Sequence, residues 1–112
     1  MIEKKYPTAQ AALSDLIGQQ YAETVDLSDS DLNDETLVAI LEAFPKLDYL
    51  LIAHTAVTEK GLAELANHDN VMTVKWHDTD CSKEYRDGLE ATLGLEVIDE
   101  NGNSSFTGML IW

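Results

Sequence analysis

The sequence predicts an α/β fold: a short solenoid with parallel strands on one face and helices on the other. An N-terminal capping helix and a C-terminal β-hairpin are expected to close its two ends. Three observations lead there. Leu47, Leu50, Ile52, Val57 and Leu65 find apolar partners 24 residues on, at Val71, Val74, Trp76, Cys81 and Leu89. A shift of 25 residues the other way gives Ala22, Val25, Leu27, Leu32 and Ile40. Each period also reads as strand, turn, N-cap and amphipathic helix. Self-similarity at about 20–50 residues marks stacked repeats, because one unit cannot bury its apolar face alone.

Taken in order, Pro7 to Gln19 reads as a helix. Pro7 suits its first turn, Ala9, Ala12, Leu13, Leu16 and Ile17 fall on one face, and Gly18 is a stop signal. An array of repeats exposes an apolar end, and this helix is the expected cover. The first repeat runs from Ala22 to Pro45. Its strand, Thr24 to Ser28, points Val25 and Leu27 inward and Asp26 and Ser28 outward. Asn33 is a good N-cap, Asp34 and Glu35 suit the positive helix end, and Leu37, Ile40, Leu41 and Phe44 form the buried stripe.

The second repeat, Leu47 to Val71, has its strand at Leu50 and Ile52 and a helix from Thr58 to about Asn67. Gly61 inside that helix costs roughly 1 kcal/mol against Ala, which implies close packing. The third, Val71 to Gly94, keeps the strand (Val74, Trp76) and the cap (Ser82). Arg86 stands where Leu37 and Leu62 stood, yet Tyr85, Leu89 and Leu93 still form a stripe. Leu95 and Ile98 start a fourth unit. Asn101-Gly102 then predicts a tight hairpin between strand 95–100 and a returning strand at 103–110. The apolar end Met109-Leu110-Ile111-Trp112 is expected to dock on the core or on a partner. The chain is thus expected to be one domain, 1–112: capping helix 1–21, three repeats 22–94, partial repeat and hairpin 95–112.

The run TAVTEKGLAELANHDNVMTV, preceded by LDYLLI, resembles the leucine-rich repeats of the ribonuclease-inhibitor-like class. Its TxVTxxGLxxL phrase is similar to the cysteine-containing subtype. LSDSDLNDETLVAIL and WHDTDCSKEYRDGLEATL match less fully, so the resemblance covers about residues 22–98. It implies a scaffold for protein–protein recognition through the concave strand face and its loops, with no shared catalytic residues. Three repeats would make a wedge rather than a deep horseshoe.

Composition narrows the function classes. Seven basic residues against twenty-one acidic ones leave a net charge of −14. Such a surface is ill suited to phosphate backbones, whose binding is cation-driven, so no nucleic acid is expected as partner. A basic protein partner is favoured instead. Acids are unevenly spread: eight lie between Lys5 and Lys46 with no Lys or Arg among them. A single cysteine forms no internal disulfide, and no apolar run suits a membrane span, so cytoplasmic placement is expected.

Strand alternation gives outward columns of Thr24, Tyr49 and Thr73; Asp26, Leu51 and Lys75; and Ser28, Ala53 and His77. Tyr49 and Leu51 make an apolar centre flanked by polar groups, the anatomy of a binding patch. The adjoining loops collect Asp29, Asp31, His54, Asp78 and Asp80. The candidate partner-binding set is therefore Asp26, Ser28, Asp29, Asp31, Tyr49, Leu51, Ala53, His54, Lys75, His77, Asp78 and Asp80. Carboxylates and imidazoles can hold a divalent cation, but the spacing matches no ligand motif and Asp-rich turns bond their own backbone. No metal or other cofactor is assigned. Cys81 falls in the interior column of Leu32 and Val57, so it reads as a small core hydrophobe. No nucleophile motif frames a serine and there is no phosphate loop, so no catalytic residue is expected. The expectation is a non-catalytic binding protein, monomeric or weakly dimeric. Its sharpest form is an immunity-protein or antitoxin-type inhibitor of a basic toxin. A structural subunit or adaptor is the alternative, and a metal-dependent enzyme a remote third.

Overall fold

The computed structural model describes residues 3–68 and 70–105. Its elements alternate along the chain. The strands are β1 (Glu3–Lys5), β2 (Thr24–Asp26), β3 (Tyr49–Leu51), β4 (Thr73–Lys75) and β5 (Glu96–Val97). The helices are α1 (Ala9–Leu13), α2 (Leu16–Tyr21), α3 (Asp34–Ala43), α4 (Glu59–Leu62) and α5 (Lys83–Leu93), with a 3-10 turn at Ala63–Asn67 continuing α4. All five strands form one parallel sheet whose spatial order is the order of the chain.

The register is the one strand alternation requires. Val25 lies opposite Leu50 and Leu50 opposite Val74, while Asp26, Leu51 and Lys75 form the adjacent outward column. The buried columns Ala22, Leu47, Val71 and Leu95; Leu27, Ile52 and Trp76; and Leu32, Val57 and Cys81 belong to one continuous core with Leu37, Ile40, Phe44 and Leu62.

The ladder continues past each strand. Leu27 and Asp29 donate to the Leu51 and Ala53 carbonyls (2.8 and 2.9 Å), and Ile52 and His54 donate to those of Lys75 and His77 (2.8 and 3.0 Å). The chain then turns through Asp29, His54 and Asp78, which sit at φ 61, 57 and 56°. Aspartate and histidine are among the non-glycine residues that tolerate this left-handed region. Thr55 and Thr79, each next in line, are buried and donate their hydroxyls to the Ile52 and Trp76 carbonyls (2.7 and 2.9 Å).

Helix starts follow the sequence closely. Asn33 Oδ1 accepts from the Thr36 amide and the Asn33 amide donates to Thr36 Oγ1, both at 2.9 Å, closing a capping box. Ser82 caps α5 through the Tyr85 amide at 3.2 Å. Gly94, at φ 67°, ends α5 in the left-handed conformation typical of a helix C-terminus. No residue of α5 is fully buried, although Tyr85, Leu89 and Leu93 rest against the core. The missing leucine explains part of this. Arg86 turns inward instead, donating from Nη1 to the Trp76 carbonyl at 2.8 Å.

Several expectations need correcting. The first 21 residues are not one capping helix. They form β1, whose polar residues pair with β2, and two short helices broken at Ser14–Asp15. Asp15 causes the break by accepting from the Gly18 amide (2.9 Å) and the Tyr6 hydroxyl (2.8 Å), which starts a new helix. Gly18 is therefore no stop. It is buried inside α2, where a Cβ would lie 2.5 Å from Tyr6 Oη. Leu16 and Ile17, expected on the buried face, are 71 and 72% exposed. The second repeat's helix tightens after one turn into the 3-10 segment. At the C-terminal end the turn at Asn101-Gly102 forms, with Gly102 at φ 83° and an antiparallel bridge between Ile98 and Ser104. The rest of the expected returning strand, and Met109 to Trp112, lie outside the described residues.

Candidate functional site

Two surfaces meet at the C-terminal ends of β2, β3 and β4: the outward strand columns and the loops that follow. Tyr49, Leu51 and Lys75 are half-buried, and Leu51 is flanked in its column by Asp26 on one side and Lys75 on the other. Asp26 is already engaged. Its Oδ2 pairs with Lys5 Nζ at 3.4 Å and its Oδ1 accepts from the Ser28 amide at 3.0 Å. Ser28 Oγ accepts from the Ala53 amide at 3.1 Å, tying the first loop to the second. Ala53 is 2% exposed, so its side chain offers no surface to a partner; the column narrows there to Ser28 and His77. Thr24, expected to face outward, is buried as well.

The loops bring the histidines together. His54 and His77 pack edge to face with ring centroids 4.8 Å apart. His54 Nδ1 lies 3.2 Å from Asp78 Oδ2. His77 Nδ1 is buried without a hydrogen-bond partner. One donor atom from each of His54, His77 and Asp78 falls within 4.8 Å of the other two. The ladder explains the meeting, since the His54 amide is bonded to the His77 carbonyl and residues 54 and 78 hold the same place in successive loops. Asp29 holds that place in the first loop and is exposed. Asp80 is exposed, as is Asp31, whose carboxylate accepts from the Ala9 amide at 2.9 Å and so fastens α1.

Away from this edge, a groove between α3 and α4 is rimmed by Asp34, Glu35, Glu64 and Lys60. Cys81 is buried, and burial, reinforced by the neighbouring Glu59, pushes its thiol from 9.0 up to about 11. Burial and the hydrogen bond to Asp15 raise the Tyr6 hydroxyl, while the Gly18 amide and then the Tyr6 hydroxyl hold Asp15 below 3.8.

The loops also carry a repeated sequence signature. Leu27-Ser28-Asp29-Ser30, Ile52-Ala53-His54-Thr55 and Trp76-His77-Asp78-Thr79 share a pattern of an inward apolar residue, a spacer, a left-handed Asp or His, and a hydroxyl. The role of Lys5 had no such signal, because β1 is three polar residues long. No helix among the described residues is long and apolar enough to cross a membrane. The chain matches no protein-family model, and no curated protein is similar to it in sequence.

Proposed function

We propose that this chain is a short leucine-rich-repeat solenoid that binds a basic protein partner and performs no catalysis. In this reading β1, α1 and α2 cover one end of the array and the turn at 98–105 covers the other. The observation that carries it is Leu51, an apolar side chain facing outward from a central strand, beside Tyr49 and below the acidic loop edge. Partner side chains would bury Tyr49 and Leu51, while Asp29, Asp78 and Asp80 would meet Lys or Arg at the rim. The net charge of −14 supports fast, salt-sensitive association with a cation-rich surface. The Cys81 thiol, held protonated at neutral pH, speaks against a thiolate nucleophile. An inhibitor of a basic toxin is the sharpest form of the reading.

A structural or adaptor subunit is the second reading, and α2 favours it. Leu16, Ile17 and Tyr21 there are 71, 72 and 51% exposed. The two readings separate in one experiment. The purified chain is used as bait at low and high salt, with Leu51→Asp and with Leu16→Asp/Ile17→Asp as parallel baits, each first checked for its melt. A basic protein lost with Leu51→Asp and weakened by salt supports the strand face. Partners lost only with the α2 variant support the adaptor. Capture indifferent to both variants and to salt overturns both.

A further inference from the structure

The cluster His54, His77 and Asp78 has a geometry that a partner surface does not require. We propose that it is a binding site for a divalent transition-metal ion, of which zinc is the representative, held by two imidazoles and one carboxylate. The inference is independent of the partner reading, because it concerns the isolated chain.

Distances come first. For tetrahedral coordination at about 2.0–2.1 Å, two ligand atoms sit about 3.3 Å apart. His54 Nδ1 and Asp78 Oδ2 are 3.2 Å apart. Two imidazoles sharing one such ion place their ring centroids about 5 Å apart. The rings of His54 and His77 are 4.8 Å apart, at an interplanar angle of 89°. The widest separation among the three donor atoms is bounded by 4.8 Å. Closing it to a tetrahedral edge takes about 1.5 Å, within reach of a side-chain rotation at His54 or Asp78, both exposed.

The second observation is His77 itself. A buried polar atom without a partner costs on the order of 1–3 kcal/mol and is uncommon in a folded protein. His77 Nδ1 is such an atom. The ring that carries this unpartnered nitrogen is the one that gives the cluster its second imidazole. The backbone adds rigidity. His54 and Asp78 are both at positive φ, and the His54 amide is bonded to the His77 carbonyl at 3.0 Å, which ties the two loops together. The site is therefore largely formed before an ion arrives.

Ligand chemistry then selects the ion. Imidazole nitrogens suit zinc, copper, nickel and cobalt, whereas magnesium and calcium take oxygen donors. Three protein ligands leave a fourth position for water or for a donor from a bound molecule. Asp29 and Asp80 in the adjoining loops are exposed but do not belong to the cluster.

The test uses the full chain without a histidine tag, stripped by a chelator and titrated calorimetrically with zinc, with magnesium and calcium run in parallel. Cobalt serves as the spectroscopic probe. His54→Asn and Asp78→Asn are the main variants, because asparagine accepts left-handed φ and both positions are exposed, so folding is retained. His77→Gln is a third, and Asp80→Asn the control. The expected result is one zinc per chain, visible cobalt bands of a nitrogen-and-oxygen site, and no magnesium or calcium uptake. Loss of either exposed ligand should weaken zinc by more than the ~10–100-fold seen when an outer-shell partner is removed. Asp80→Asn should leave it unchanged. No stoichiometric zinc uptake overturns the proposal. So does uptake that survives both His54→Asn and Asp78→Asn, which would mark scattered surface carboxylates as the binders.

Discussion

Gly61 and Asp34 interlock: a Cβ on Gly61 would lie 2.4 Å from Asp34 Oδ1 and 3.1 Å from Asp34 Cα. The Asp34 carboxylate cannot yield, because it accepts from both the Thr58 amide (2.7 Å) and the Thr58 hydroxyl. The first turn of α3 is thereby the docking point for the first turn of α4. Gly61→Ala should therefore destabilise. Overpacking costs ~1–3 kcal/mol and the gain in helix propensity returns at most ~1, leaving a net loss of about 1 kcal/mol. The check is a denaturant melt of Gly61→Ala alone and in an Asp34→Ala background. In that background the loss should shrink, since the obstructing carboxylate is gone.

Arg86 offers the opposite case. Its guanidinium bonds the Trp76 carbonyl, but its Nε is buried without a partner. Arg86→Leu should restore the apolar column of Leu37 and Leu62 and remove the orphaned donor, while Thr79 continues to bond the same carbonyl. Replacing a half-satisfied buried polar group with an apolar one of similar reach is commonly neutral or stabilising. The expected change is between zero and about +1 kcal/mol of stability; Arg86→Ala, which leaves a void, should lose stability. A drop in melting temperature for Arg86→Leu would refute this account of the column.

Cys81 should be slow to alkylate. Raising the thiol from 9.0 to about 11 lowers its thiolate fraction near pH 8 about 100-fold before access is considered. Iodoacetamide should label native protein at least about 100 times more slowly than protein unfolded in urea. Equal rates would mean that the thiol is neither buried nor shifted.

Asp15 should titrate below 3.8, because the folded chain supplies the Gly18 amide and the Tyr6 hydroxyl to its charged form. A carboxyl lowered by folding stabilises fully above its unfolded value and loses that contribution as pH falls through its folded value. Tyr6→Phe removes one of the two donors and should move the Asp15 titration upward. An NMR titration of the aspartate side chains in both proteins reads this directly; an unmoved Asp15 would leave the hydroxyl without a role in the charge.

How far the sequence could be read depended on how many residues repeated a cue. Val25, Leu50 and Val74 share one inward column, and each period supports the others, so strand positions and register were legible. N-caps at Asn33, Thr58 and Ser82 were legible for the same reason. The N-terminal segment lacked that redundancy. Ala9 to Ile17 fits one helical face on spacing alone, and only the contacts of Asp15 with Tyr6 and Gly18 show why the helix breaks. β1 carries three polar residues and owes its conformation to the β2 backbone. In the loops, the histidine pairing needed the extended ladder, which places residue 54 beside residue 77 across two periods.

That short first strand is also a poor template for edge-to-edge strand pairing. β1 lies at the edge of the sheet, and no strand among the described residues pairs with its outer side. Lys4 and Lys5, whose ammonium groups reach Asp15 and Asp26, place positive charge on that border of an otherwise strongly acidic molecule. A second copy approaching strand to strand would set lysine against lysine over only three residues of backbone. Lys5, which ties the first strand to β2, and Lys4, which ties it to the start of α2, thus also discourage the sheet from continuing into another molecule.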